Sequence, residues 1–225
     1  MTTSISNDAS RVKSFKLDGN AILSNSLIDQ LKAVVNSVNS APEENCIVFQ
    51  IIGTKDQDPQ TWPGITPELS VHLISQWEQT LRQIELLNVL TCATIERNCN
   101  ECGLQLLLTT DVRIIQKDAT IQINHNGMWP GMTIHRLANQ LGTSRGRRLV
   151  FFENKITAHR AFQIDLIDFI ANDVDKERDS FLSSRATTKL SSIALRRSLL
   201  QEATSEPFET ALGSHLAACD RLLRK

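Results

Sequence analysis

Apolar residues recur along the chain with two rhythms, one helical and one of short continuous or alternating runs. After Ser24-Asn25-Ser26, which can cap a helix, Leu27, Leu31, Val34, Val35 and Val38 follow at helical spacing. Cys46 to Ile52 then reads as a buried strand ended by Gly53. A polar loop with two prolines runs from Thr54 to Pro63. Thr66-Pro67 predicts a helix start, with the stripe Leu73, Ile74, Trp77, Leu81 and Ile84 behind it. Val89 to Ile95 is a second buried strand. The polar turn Glu96–Glu101 leads into the apolar segment Cys102–Leu108, and Val112–Ile115 is a short strand. Ala119, Ile121 and Ile123 alternate with polar residues, as on a half-buried strand. Trp129-Pro130-Gly131 precedes a helix ending at Gly142, and the chain from Thr143 on reads as mainly helical. Residues 1–12 read as a frayed tail. Strands alternating with helices predict an α/β fold with mostly parallel pairing. The division expected is an α/β core over residues 1–174. Helices over 175–225 would pack on that core or on a neighbouring subunit.

Composition narrows the function classes. A chain of 225 residues with 41% apolar and 22% charged residues is an ordinary globular protein. Its net charge of −1 argues against a nucleic-acid footprint, which needs a basic face. The cluster Arg145, Arg147 and Arg148 reads as a solvated helix face. No stretch approaches the ~20 apolar residues of a membrane span, and Met1–Ser10 is too polar for a signal peptide. Five cysteines, an odd number, do not suggest a disulfide framework, so a cytoplasmic, reducing compartment is expected. Cys99-Asn100-Glu101-Cys102 is a C-x-x-C at a helix start, a setting that lowers thiol pKa. A zinc site would want a second ligand pair, so no metal is expected. The chain shows no glycine fingerprint for nucleotides and no serine nucleophile elbow.

The order of elements resembles the crotonase (enoyl-CoA hydratase/isomerase) superfamily. Its segment A-x-x-G-x-x-x-G-G-G-x-x-L-x-x-x-x-D is similar to Thr94–Asp111, with the triple glycine falling on Glu101-Cys102-Gly103. Its P-G-x-G-x-x-x-R-L is similar to Pro130–Leu137, one glycine short. Its segment ending in G-L-V-D resembles Ile156–Asp168. Within the superfamily, three features resemble the DpgB-type proteins of dihydroxyphenylacetyl-CoA formation, which accompany a type III polyketide synthase. They are Trp62-Pro63-Gly64, Trp77-Glu78, and Trp129-Pro130-Gly131-Met132 with His135-Arg136-Leu137.

The resemblance implies a crotonase fold, repeated ββα units in a spiral. It also implies C-terminal helices that build trimers or hexamers, and a pocket for an acyl-CoA thioester. Coenzyme A would enter as part of the substrate, with no tightly bound cofactor. Two backbone N–H groups would stabilise an enolate at the thioester carbonyl, and the positions are Ile65 and Cys102. Trp62, Gly64, Gly103, Asn124 and Trp129 would line the substrate. Where the hydratases carry their first carboxylate this chain has Gln105, and an amide neither gives nor takes a proton at neutral pH. The second carboxylate falls among Ile123, Asn124 and His125, none of them acidic. His125 is the remaining proton-transfer group, and a loop histidine held by hydrogen bonds is its plainer explanation. Glu101 could stand in for a carboxylate, although its charge is also explained as a helix first-turn residue. The functions compatible with this set are an enzyme assisting dehydration or aromatisation of a polyketide thioester, a non-catalytic partner of the synthase, and an acyl-CoA decarboxylase.

Overall fold

The computed structural model describes residues 12–40, 46–54, 69–123, 131–184 and 191–224. Its main sheet is built from β1 (Val12–Asp18), β2 (Cys46–Ile52), β3 (Leu90–Glu96), β5 (Val112–Gln116) and β8 (Phe169–Ala171). These strands lie in the order β1-β2-β3-β5-β8, and every pairing is parallel. A smaller sheet joins β4 (Asn98–Cys99), β6 (Thr120–Gln122) and β7 (Lys155–Thr157). There β4 and β6 run parallel, while β6 and β7 run antiparallel.

The helices between strands are α1 (Asn25–Ser40), α2 (Val71–Glu85), α3 (Glu101–Leu107), α4 (Thr133–Leu141), α5 (Thr143–Phe152) and α6 (Ala158–Gln163). The C-terminal part holds α7 (Val174–Ser184), α8 (Ser191–Ala203) and α9 (Phe208–Leu223). Helix α1 begins where the caps predict, with Ser24 Oγ accepting from Leu27 N–H at 3.2 Å. The described part of α2 begins later than Thr66-Pro67, which lies outside the described residues. Ser70 is its N-cap, and the Ser70 Oγ accepts from Leu73 N–H at 3.1 Å.

Alternation along the strands sends side chains to two faces. Ile47, Phe49 and Ile51 of β2 join the large core beneath α1 and α2, around Ile28, Leu31, Trp77 and Leu81. Cys46 and Val48 face the other way. With Leu90, Cys92, Val112 and Ile114 they meet Val174 of α7, Phe181 and Ile193. The sheet is therefore covered on both sides, as a parallel sheet must be.

Four strands escape the hydrophobic pattern. In β1 only Leu17 is buried, because the strand lies at the sheet edge. The others, β4, β7 and β8, have two or three residues each, too short to show a period. Two of them interrupt the region that reads as mainly helical.

Candidate functional site

The C-terminal ends of β1, β2 and β3 converge, the place where open parallel sheets commonly carry their sites. Gly19 follows β1 and Gly53 follows β2, and both back onto Asn98. A Cβ at Gly19 would lie 2.2 Å from the Asn98 carbonyl oxygen, and one at Gly53 would lie 1.5 Å from Asn98 Oδ1. Only glycine permits that approach. The root of the following loop is tied down at the same point. Arg97 Nη1 donates to the Gly53 carbonyl at 2.8 Å and Asn98 Nδ2 to the Thr54 carbonyl at 2.9 Å. Asn20 Nδ2 donates to Thr54 Oγ1 at 3.1 Å. Arg97 takes a left-handed φ of 64°, which lets the chain leave β3 and enter β4 at once.

Helix α3 starts beside these ends. The first four N–H groups of a helix have no acceptor within it. In α3 the Asn100 N–H donates to the Gly19 carbonyl at 2.7 Å, and the Gly103 N–H donates to Asn100 Oδ1 at 3.2 Å. Asn100 Nδ2 reaches the Ala21 carbonyl at 2.8 Å, which fixes the cap against the turn after β1. No acceptor for the Cys102 N–H is found among the described residues. Cys102 is fully buried in the core. Gly103 is needed for packing. A Cβ there would meet Cys99 Sγ at 2.5 Å and Ile51 Cγ2 at 3.1 Å.

One turn on, Gln105 is completely buried. Its Oε1 accepts from the indole Nε1 of buried Trp77 at 2.5 Å. Gly131 lies opposite, where a Cβ would come within 3.7 Å of Gln105 Nε2 and 2.9 Å of Glu78 Oε1. Glu78 joins α2 to the start of α4, accepting from the Met132 N–H at 2.8 Å and from Arg136 Nη1 at 2.7 Å. Arg136 Nε also reaches Glu85 Oε1 at 2.7 Å. Burial pulls the Arg136 pKa down, but the hydrogen bonds and charges of Glu85 and Glu78 outweigh it and raise the value.

The structure thus brings together Cys102, Gly103, Gln105 and buried Glu101 on α3. Ile65, Trp62, Gly64, Asn124, His125 and Trp129 lie outside the described residues. Sequence reasoning missed Asn98, Asn100 and the Trp77–Gln105 pair. Spacing could not reveal them, because a lone asparagine in a turn looks ordinary and the pair is 28 residues apart, with β3 and β4 between its members.

The C-x-x-C expectation is overturned. Cys99 and Cys102 are unpaired thiols buried in the core, and burial raises both pKa values. At Cys102 the charge of Glu101 adds to the rise. No group of three or more potential metal ligands occurs among the described residues. Arg145 and Arg148 pair with Asp165 and Glu153 at the surface, and Arg147 is exposed. No described helix is long and apolar enough to cross a membrane.

Comparison with known proteins points the same way. The chain is 33% identical over 212 residues to a protein of Amycolatopsis orientalis named enoyl-CoA-hydratase, covering 93% of this chain and 95% of that one. An enoyl-CoA hydratase structure from Bacillus anthracis superimposes with a TM-score of 0.81 at 18% identity, covering 96% of this chain and 88% of the other. One from Shewanella pealeana gives 0.80 at 14% identity, covering 94% and 84%. At such identities these two establish the crotonase fold alone. The sequence pattern of the family described as enoyl-CoA hydratase/isomerase matches residues 66–225, and the chain belongs to that family.

Proposed function

We propose that the chain binds an acyl thioester of coenzyme A and stabilises its enolate through the N–H groups of Cys102 and Ile65. The carrying observation is the Cys102 N–H. It lies at the convergence of three strand ends, in a first turn where the Asn100, Gly103 and Leu104 N–H groups have acceptors. A fixed donor aimed at developing negative charge needs no reorganisation during the reaction. The family and the Amycolatopsis relative support the thioester as ligand. The finer reading is assistance to dehydration or aromatisation in dihydroxyphenylacetyl-CoA formation, beside a type III polyketide synthase. There His125 would carry the proton and Glu101 would be the nearest carboxylate. A second reading, a non-catalytic partner of that synthase using the same pocket, is favoured by the amide at Gln105, which cannot serve as acid or base.

Two measurements test the proposal. Acyl-CoA affinity by calorimetry should be measurable, and in D2O the bound thioester should exchange its α-protons, followed by mass spectrometry. Absence of binding to any CoA thioester would reject it. Binding without α-exchange favours the partner reading, which predicts instead that added protein stimulates the synthase. Hydration of crotonyl-CoA at an ordinary hydratase rate is not expected, since no acid–base pair is in place. Such a rate would point to Glu101, and Glu101→Gln should then abolish it.

A further inference from the structure

Thr133 is fully buried, and its hydroxyl has no hydrogen-bond partner among the described residues. It opens α4, a helix of nine residues, and Met132 before it supplies no side-chain cap. Buried hydroxyls are ordinarily paired, and one left without a partner weakens the fold. Valine, branched at the same carbon, would fill the place without that cost.

Thr133, Arg136 and Leu137 form the buried face of α4, at i, i+3 and i+4. Arg136 on that face meets Glu78 and Glu85 of α2, so Thr133 faces α2 as well. Its side chain leans back toward the start of the helix. There the Met132 N–H donates to Glu78 Oε1 at 2.8 Å. Gly131 makes that approach possible, because a Cβ on it would lie 2.9 Å from the same oxygen. Each Glu78 oxygen accepts one bond, from Met132 or from Arg136, and keeps a second lone pair. The same Cβ position is 3.7 Å from Gln105 Nε2, so the cluster borders α3 about one turn past Cys102.

A hydroxyl group suits these two partners together, since it donates to the carboxylate and accepts from the threonine. An apolar group would leave Thr133 unpaired, and a second carboxylate would be repelled by Glu78. We infer that Thr133 and Glu78 form a subsite for a hydroxyl carried on the acyl part of the thioester, several bonds beyond the carbonyl. The inference rests on the acyl-thioester reading above and gives it a substrate class, hydroxylated acyl groups.

Calorimetry with phenylacetyl-CoA, its 3-hydroxy and 4-hydroxy derivatives and 4-carboxyphenylacetyl-CoA tests it, with acetyl-CoA as reference. The rigid ring holds the added group away from the thioester. At least one hydroxylated ligand should bind the full-length chain on the order of tenfold tighter than phenylacetyl-CoA. The carboxylated ligand should gain nothing. In Thr133→Val the preference for a hydroxyl should vanish. The same variant should melt at or above the temperature of the unmodified chain, because it removes an unpaired buried hydroxyl. A threonine kept for folding alone would give the reverse, a lower melting temperature with the preference unchanged. Three results would overturn the inference and leave the thioester reading intact: equal affinities in the unmodified chain, a preference for the carboxylated ligand, or a hydroxyl preference that survives Thr133→Val. Binding of acetyl-CoA but of no aryl ligand would do the same. Failure of every ligand, acetyl-CoA included, would remove both readings. The comparison within the unmodified chain does not depend on the variant folding.

Discussion

A side chain at position 103 would have to occupy the space of Cys99 Sγ and Ile51 Cγ2. The constraint is close packing of α3 on β2, not an unusual backbone angle, since among the described glycines only Gly142 has positive φ. Gly103→Val should therefore destabilise by about 1–3 kcal/mol or more through overpacking, and should lower thioester affinity by shifting the start of α3. Cys102→Ala removes one buried sulfur and keeps the amide. Its melting temperature should fall by a few degrees, roughly 1 kcal/mol, while affinity for acyl-CoA persists. Equal loss of binding in both variants, each checked for folding by circular dichroism, would remove the donor from Cys102. The other thiols make a related point. Cys46, Cys92, Cys99 and Cys102 are buried and Cys219 is exposed. Burial, followed by the charge of Asp111, pushes the Cys46 thiol up to about 12. A thiol reagent at pH 8 should modify Cys46, Cys92, Cys99 and Cys102 only on unfolding. The C-x-x-C motif misleads because a helix start lowers a thiol pKa only where solvent or a cation can share the charge, and here the core surrounds it.

Elements of this fold are legible in the sequence in proportion to how completely they bury a face. Strand β2 matches its expected limits, Cys46–Ile52, because its apolar run faces helices on both sides. Short β7 and β8 could not be read, since three residues carry no period. Helix α8 follows a different logic, held to the core chiefly by one side chain. Arg197 reaches Asp111 with Nε at 2.7 Å and Nη2 at 2.9 Å, and donates to the carbonyls of Glu85, Leu87 and Val89. Those carbonyls include the last residue of α2, where acceptors lack helical partners. Removing one partner of a buried pair leaves the other charge uncompensated, so Arg197→Met should cost about 3 kcal/mol in urea unfolding. Arg197→Lys cannot reproduce the planar fork and should recover only part of it. After β7, α6 carries a pair with a pH signature. The hydrogen bond from Arg160 holds the Glu153 carboxyl below its usual range, against a smaller opposing effect of burial. The unfolded chain then takes up the proton first as pH falls. The contribution is complete above the ordinary carboxylate range near about 4.3 and is lost as pH drops through the lower folded value. Acid unfolding of Glu153→Gln should show a shallower loss of stability across that window.

At the scale of the whole molecule, the C-terminal helices present apolar surface that the chain itself does not cover. Leu200 on α8 is 70% exposed, and on α9 Phe208 is 75%, Leu216 59% and Leu223 86% exposed. Among the described side chains of α9 only Ala211 and Ala218 are buried, so small residues turn inward there while Phe208, Leu216 and Leu223 turn outward. An amphipathic helix in a self-sufficient monomer does the opposite. Adjacent exposed apolar side chains on one element mark a surface for association. The crotonase resemblance implies trimers, often stacked as hexamers, through this region, and the candidate site lies on α3 at the strand ends rather than on α8 or α9. The expected state is therefore a homo-oligomer in multiples of three, in which α8 and α9 are covered by neighbouring copies. Light scattering at micromolar concentration should give three or six times the chain mass. Leu216→Asp together with Phe208→Asp should shift the population to smaller species, since charges in a desolvated interface lack partners. Monomeric unmodified protein at that concentration would reject the assembly, and an unchanged mass in the double variant would place the contact elsewhere on the surface.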